Sequence, residues 1–177
     1  MSDKENKGSI EFKLRKLEAS DAESFAKHAN NPLIAQNLRD VFPNPYTLDD
    51  AEKFISFCQT LNPSESLMYC IDVDGHAVGS ISVTKGKDVY SKSAEIGYWL
   101  GQEYWGHGIM TRAVKQVCKE AFEKLDIVRI HAEIFACNMG SRAVLMKSGF
   151  QQEGILHSAV FKNGSIIDAL VFALIKP

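Results

Sequence analysis

The chain has 177 residues, 45% of them hydrophobic and 24% charged, with a formal net charge of −2 at pH 7. That size and balance describe one globular domain with enough apolar residues for a core, without the broadly basic surface that binds nucleic acid or anionic membranes. No apolar run reaches the length of a bilayer span, and Met1-Ser2-Asp3-Lys4-Glu5-Asn6-Lys7 lacks the apolar centre of a secretory signal. Cys58, Cys70, Cys118 and Cys137 form no Cys-x-x-Cys pair and no histidine cluster has metal-ligand spacing. The expectation is free thiols, no metal and a cytoplasmic protein.

Residues 1–9 are polar and read as a flexible N-terminus, with the folded domain over 10–177. Residues 10–14 alternate apolar and polar, a half-buried strand. Ser20-Asp21-Ala22-Glu23 reads as a capping box opening a helix that Asn30-Asn31-Pro32 ends. Residues 33–38 suit a short helix, and Phe42-Pro43-Asn44-Pro45-Tyr46 is a stiff aromatic loop, either a core connector or a wall of a substrate site. Thr47-Leu48-Asp49-Asp50 opens a second long helix, stopped by Asn62-Pro63-Ser64.

Residues 67–73 and 77–84 are strands joined by an Asp74-Gly75 hairpin turn. Residues 94–100 form another strand, in which Gly97 suggests a bulge or a close backbone neighbour. A strong apolar stripe then predicts a helix through Leu125, with Cys118 on its apolar face. Residues 128–135 are a strand, 141–147 a short helix closed at Gly149, and 152–161 and 166–175 two strands joined at Asn163-Gly164. The order β-α-α-β-β-β-α-β-α-β-β is an α/β (α+β) domain with a mixed, mainly antiparallel sheet flanked by helices.

The stretch from Ala94 to Thr111 organises the chain: a strand, a loop with three glycines, then the start of the most periodic helix. Such a loop gathers unpaired N–H groups at the positive end of a helix dipole, which suits a phosphate. It is not a dinucleotide fingerprint, because position 111 is Thr111 and Asp126 precedes the next strand rather than ending it. Nor is it an NTPase loop, because Gly-Lys-Ser/Thr is absent.

Trp105-Gly106-His107-Gly108-Ile109-Met110 resembles the acyl-CoA pyrophosphate loop, Gln/Arg-x-x-Gly-x-Gly/Ala, of the GCN5-related N-acetyltransferases, the GNAT superfamily. Trp105 stands in place of Gln or Arg, a variant familiar in the RimJ/RimL-type ribosomal-protein acetyltransferases, and Met110 replaces a small residue. Asn138-Met139-Gly140-Ser141, followed by Lys147-Ser148-Gly149-Phe150, resembles the family's Asn-x-x-Ser and Lys-x-Gly-Phe motifs. Asn44-Pro45-Tyr46-Thr47 with Asp50-Ala51-Glu52, and Gly154-Ile155-Leu156 with Asp168, match as well. The resemblance spans about residues 10–176.

The resemblance implies acetyl transfer from acetyl-CoA to an amine by direct attack, with no metal. The acceptor it points to is a protein N-terminal amine. A small amine or amino-acid-like acceptor, or a non-catalytic acyl-CoA-binding module, are the alternatives. The cofactor contacts implied are Trp105, Gly106, His107, Gly108, Ile109, Met110 and Thr111 for the pyrophosphate. Tyr98, Trp99 and Leu100 lie on the strand beside the pantetheine, and Asn138, Ser141 and Lys147 are implied cofactor contacts as well. Asn138 equally suits a helix cap.

Alternation puts Glu95 on one strand face with Gly97 and Trp99, and a carboxylate in an otherwise apolar strand is either used or paired. Glu95 is thus a candidate general base, or the partner of a structural ion pair, with Glu133 and His131 as other base candidates. The family often uses a tyrosine after the Asn motif as proton donor to the thiolate. None lies in residues 141–147, which leaves the Ser141 hydroxyl. The acceptor, and whether the protein is a monomer or a homodimer, stay open.

Overall fold

The computed structural model describes residues 10–177. The flexible N-terminus expected over 1–9 lies outside the described residues. A seven-stranded sheet runs in the order β1-β2-β3-β4-β5-β7-β6. Its strands are β1 (Lys13–Arg15), β2 (Ser66–Val73), β3 (His76–Lys85), β4 (Ser93–Leu100), β5 (Arg129–Phe135), β6 (Gln151–Lys162) and β7 (Ser165–Ile175). All neighbours pair antiparallel except β4 and β5. The helices are α1 (Ala22–Ala29), α2 (Pro32–Ala35), α3 (Leu48–Gln59), α4 (Ile109–Lys124) and α5 (Met139–Lys147). The mixed, mainly antiparallel architecture is the one expected, and the short helix expected over 33–38 is α2, one residue earlier at its start and ended at Ala35. No helix among the described residues is long and apolar enough to cross a membrane.

Each sheet face has its own core. On one face α4 buries Ala113, Val114, Val117, Cys118 and Ala121 against Ile81, Val83, Ile96 and Ile130. On the other, α1 and α3 cover Trp99 and Cys70, with the Phe25 ring edge-on to Trp99 at 4.8 Å between centroids. Alternation along β4 makes this possible, sending Ile96 to the first core and Trp99 to the second. All four thiols are free, with Cys70 and Cys118 buried and Cys137 exposed.

Local chemistry sets the expected boundaries in several places. Thr47 and Asp50 form a reciprocal capping box at α3. Asn31 caps α2 by accepting the Leu33 N–H at 2.9 Å. Asp74-Gly75 and Asn163-Gly164 turn their hairpins with positive φ at all four residues.

Three expectations need correction. The first strand is Lys13–Arg15, later than residues 10–14. The capping box is not at Ser20: Asp21 accepts the Glu18 N–H at 2.8 Å, closing a 3-10 turn over Ala19–Asp21 before α1. Arg15 holds Asp21 there with bonds of 2.7 and 2.8 Å while also reaching Asp72 at 2.6 Å. Gly97 makes no bulge either. Its pairing with Ser82 lies in unbroken β3–β4 register, and an added Cβ would meet only Ser82 Oγ at 3.8 Å.

Candidate active site

β4 and β5 pair at Ser93–Arg129, Ala94–Ile130 and Glu95–His131, and among the described residues at no position beyond. β5 stays registered with β7 along its whole length, from Arg129–Ile175 to Phe135–Ala169. β4 stays with β3 up to Gly79–Leu100. Each strand follows its antiparallel neighbour, so the two part after Glu95. The β5-facing backbone edge of residues 96–100 is left for a guest chain. A cleft of about 860 Å³ opens there, lined by Tyr98, Trp99 and Leu100 on one side and Asn138, Ser141 and Lys147 on the other.

The floor of the cleft is the glycine loop. The Trp105 indole N–H donates to the Leu100 carbonyl at 2.7 Å and ties the loop to the end of β4. Gly106 and Gly108 have φ of +80° and +72°, a region that other residues enter only at a cost. Gly108 is the N-cap of α4 with no side-chain cap, and the first turn of α4 carries no acidic residue. The first N–H groups of α4 therefore lack intrahelical partners, and the positive end of the dipole is uncompensated. A Cβ added at Gly106 or Gly108 would meet nothing within 4 Å, so space lies open beside those donors. Donors, dipole and space together suit a phosphate.

Gly108, Ile109, Met110 and Thr111 line this end with Trp105 and Gly106. Met110, the departure from the small residue of the family motif, is 7% exposed and packs into the α4 core. His107 is not among the lining residues, and its Nδ1 is buried without a hydrogen-bond partner.

Across the cleft, Asn138 caps α5 by accepting the Ser141 N–H on Oδ1 at 3.0 Å. The cap uses the amide oxygen and leaves the amide NH2 for a ligand. Ser148 Oγ donates to the Thr111 carbonyl at 3.4 Å and links the end of α5 to the start of α4. The Tyr98 hydroxyl lies 2.7 Å from Ser141 Oγ. Burial raises the Tyr98 phenol above its ordinary range, against a smaller lowering by the Ser141 bond, so it stays protonated.

The base candidates stand apart from this group. Glu95 does not line the cleft, and its Oε1 accepts from Arg39 Nη2 at 2.6 Å, both side chains being well exposed. His131 is the cross-strand neighbour of Glu95, with Nδ1 3.4 Å from Ser93 Oγ, and Glu133 is exposed on β5.

Sequence reasoning missed the partners that long-range folding supplies. Arg39 reaches Glu95 across 56 positions, and Lys162 reaches Asp40 at 2.5 Å across 122. Lys162 lines the cleft beside Asn163, with Leu33, Ile34 and Leu38 also in its wall. The loop between α1 and α3 and the β6–β7 hairpin thus close over one end. No short-range pattern marks these pairs. The one usable signal is the placement of Lys162 at the tip of a hairpin.

Comparison with known proteins agrees with this geometry. A family model described as an acetyltransferase (GNAT) domain matches residues 11–151. A Bacillus subtilis protein named "Probable N-acetyltransferase YjcK" is 34% identical over 175 residues, covering 93% of each chain. The Escherichia coli ribosomal-protein-serine acetyltransferase is 30% identical over 108 residues, 61% of this chain and 60% of its own. The solved structure of Mycobacterium smegmatis RimJ in complex with a CoA-disulfide superposes with a TM-score of 0.79 at 26% identity, covering 93% of this chain and 81% of the other.

Proposed function

The chain belongs to the GNAT acetyltransferase family, and as an acetyl-CoA-dependent N-acetyltransferase we propose that it acts on protein N-terminal α-amines, including those of ribosomal proteins. The observation that carries the reading is the split between β4 and β5, with the uncapped N-terminus of α4 at its base. An extended ligand with a pyrophosphate at one end fits that combination. The ribosomal-protein-serine acetyltransferase relative supports the acceptor class. We place the acetyltransferase domain at residues 10–177 and the protein in the cytoplasm, where acetyl-CoA and nascent N-termini meet.

In this reading, the N–H groups of the loop and first turn of α4, residues 105–111, bind the pyrophosphate. The free backbone edge of β4 pairs with the pantetheine arm, as a peptide adds to a sheet edge. The Asn138 amide NH2 donates to the arm from the opposite side. The thioester is then held where the strands part, near Ser141.

The amine attacks the thioester carbonyl carbon. The C–N bond forms, the C–S bond breaks with its electron pair on sulfur, and one proton leaves the nitrogen. Ser141 donates a hydrogen bond to the departing thiolate. The proton passes to water or to Glu95, whose Oε1 is already held by Arg39.

That arrangement favours an α-amine. An α-amino group titrates near ~8 and a lysine near ~10.4, so the first is partly neutral at pH 7 and needs little help from a base. The test is an acetyl-transfer screen with acetyl-CoA over N-terminal peptides, lysine peptides with blocked N-termini, and small amines. The proposal expects N-terminal peptides to be the best acceptors. Faster turnover of small amines would reassign the acceptor.

A further inference from the structure

Tyr98 and Ser141 belong to the two arms of the split sheet, one on β4 and one in the first turn of α5, 43 positions apart. They meet at 2.7 Å, and either oxygen has a proton to give. Acidity decides which one gives it: a phenol is a stronger acid than a serine hydroxyl and the serine oxygen is the better acceptor, so Tyr98 donates. With Tyr98 as donor to Ser141 Oγ, the Ser141 proton is left over. The Ser141 N–H is held by Asn138, and both Tyr98 and Ser141 line the cleft. The remaining direction for the serine proton is into the cleft.

We infer that Tyr98 is a positioning residue for the leaving group: its phenol donates to Ser141 Oγ and so aims the Ser141 proton at the thioester sulfur. This deepens the acetyl-transfer reading above and rests on it. The phenol acts through the serine, and no proton leaves the tyrosine. The amine lone pair forms the C–N bond and the C–S pair goes to sulfur. The amine proton goes to water or to the base. The thiolate leaves hydrogen-bonded to Ser141 and takes a proton from water on release.

The test is a double-mutant cycle with Tyr98→Phe, Ser141→Ala and the pair, measured as kcat and as KM for acetyl-CoA with a serine-headed peptide. Tyr98→Phe is expected to lower kcat about five-fold, the worth of one neutral hydrogen bond, with KM for acetyl-CoA unchanged. The double variant should be no slower than Ser141→Ala alone. Multiplying effects, or a Tyr98→Phe defect confined to KM, would make the contact a plain tie between the two arms and overturn the inference. As a check on folding, 3-fluorotyrosine placed at 98 keeps the ring and makes a stronger donor. A kcat at or above wild type is expected, and a drop counts against the inference. If the wild type acetylates none of the amines tested, it is the acetyl-transfer reading that fails, and this inference falls with it.

Discussion

Gly108→Ala separates backbone strain from ligand recognition. Gly108 sits at φ +72°, and a methyl group added there would meet nothing within 4 Å. The methyl therefore costs the free protein only its conformation, roughly 1–2 kcal/mol for a left-handed residue with a Cβ. For a domain of this size that corresponds to a Tm lower by roughly 2–8 °C. Gly75, also at positive φ (+83°) in the β2–β3 hairpin and with nothing within 4 Å, provides a control away from the cleft.

The two variants part when ligand is added. The Gly108 methyl would fill the space beside the first N–H groups of α4, where the pyrophosphate is proposed to lie. Loss of one charge-assisted hydrogen bond costs roughly 1.5–3 kcal/mol, a ten- to hundred-fold weaker Kd. Melting curves without ligand and calorimetric titration with acetyl-CoA measure both quantities. Gly75→Ala should melt early and bind normally, and Gly108→Ala should melt early and bind weakly. Normal acetyl-CoA binding by Gly108→Ala would refute the placement of the phosphates.

Three further outcomes follow from named contacts. Trp105→Phe removes the indole bond to the Leu100 carbonyl and should weaken acetyl-CoA binding about five-fold, one hydrogen bond's worth; an unchanged Kd in the same titration would deny the tether a role. His28 is lowered in pKa by burial, which outweighs the raising effect of Glu103 at 3.3 Å. Its contribution to stability is full above the unfolded value of about 6.5 and is lost as pH falls through the folded one. The Tm of the wild type should therefore decline on acidification below about pH 6.5, and His28→Gln should flatten that decline; equal slopes would contradict it. Glu95→Gln breaks an exposed pair, so unfolding free energy should change by less than about 1 kcal/mol. Its effect on acetyl transfer should be larger for a lysine peptide than for an N-terminal one, and an equal effect on both would remove the carboxylate from proton transfer.

What the sequence made legible was local. The Thr47–Asp50 box, the Asp74-Gly75 and Asn163-Gly164 turns and the α4 stripe each complete their interactions within a few residues. The glycine loop was readable for the same reason, since its donors and its helix are contiguous. The failures involve distant partners. Asp21 follows Arg15 and, through it, Asp72 rather than opening α1 from Ser20. The pairing of Glu95 with Arg39, and of Tyr98 with Ser141, depends on strands and helices that meet only after the sheet forms. The split between β4 and β5 is likewise invisible in either strand alone. It arises because each strand has a stronger antiparallel neighbour.

The most direct measurement of the central claim uses two peptides of one sequence containing a lysine. One has a free N-terminus and a blocked lysine, the other a blocked N-terminus and a free lysine. Each is incubated with the protein and isotope-labelled acetyl-CoA at neutral pH, and the label is located by mass spectrometry. The predicted result is one labelled acetyl group on the free α-amine and little on the lysine. Label on the lysine peptide alone, or on neither, would contradict it.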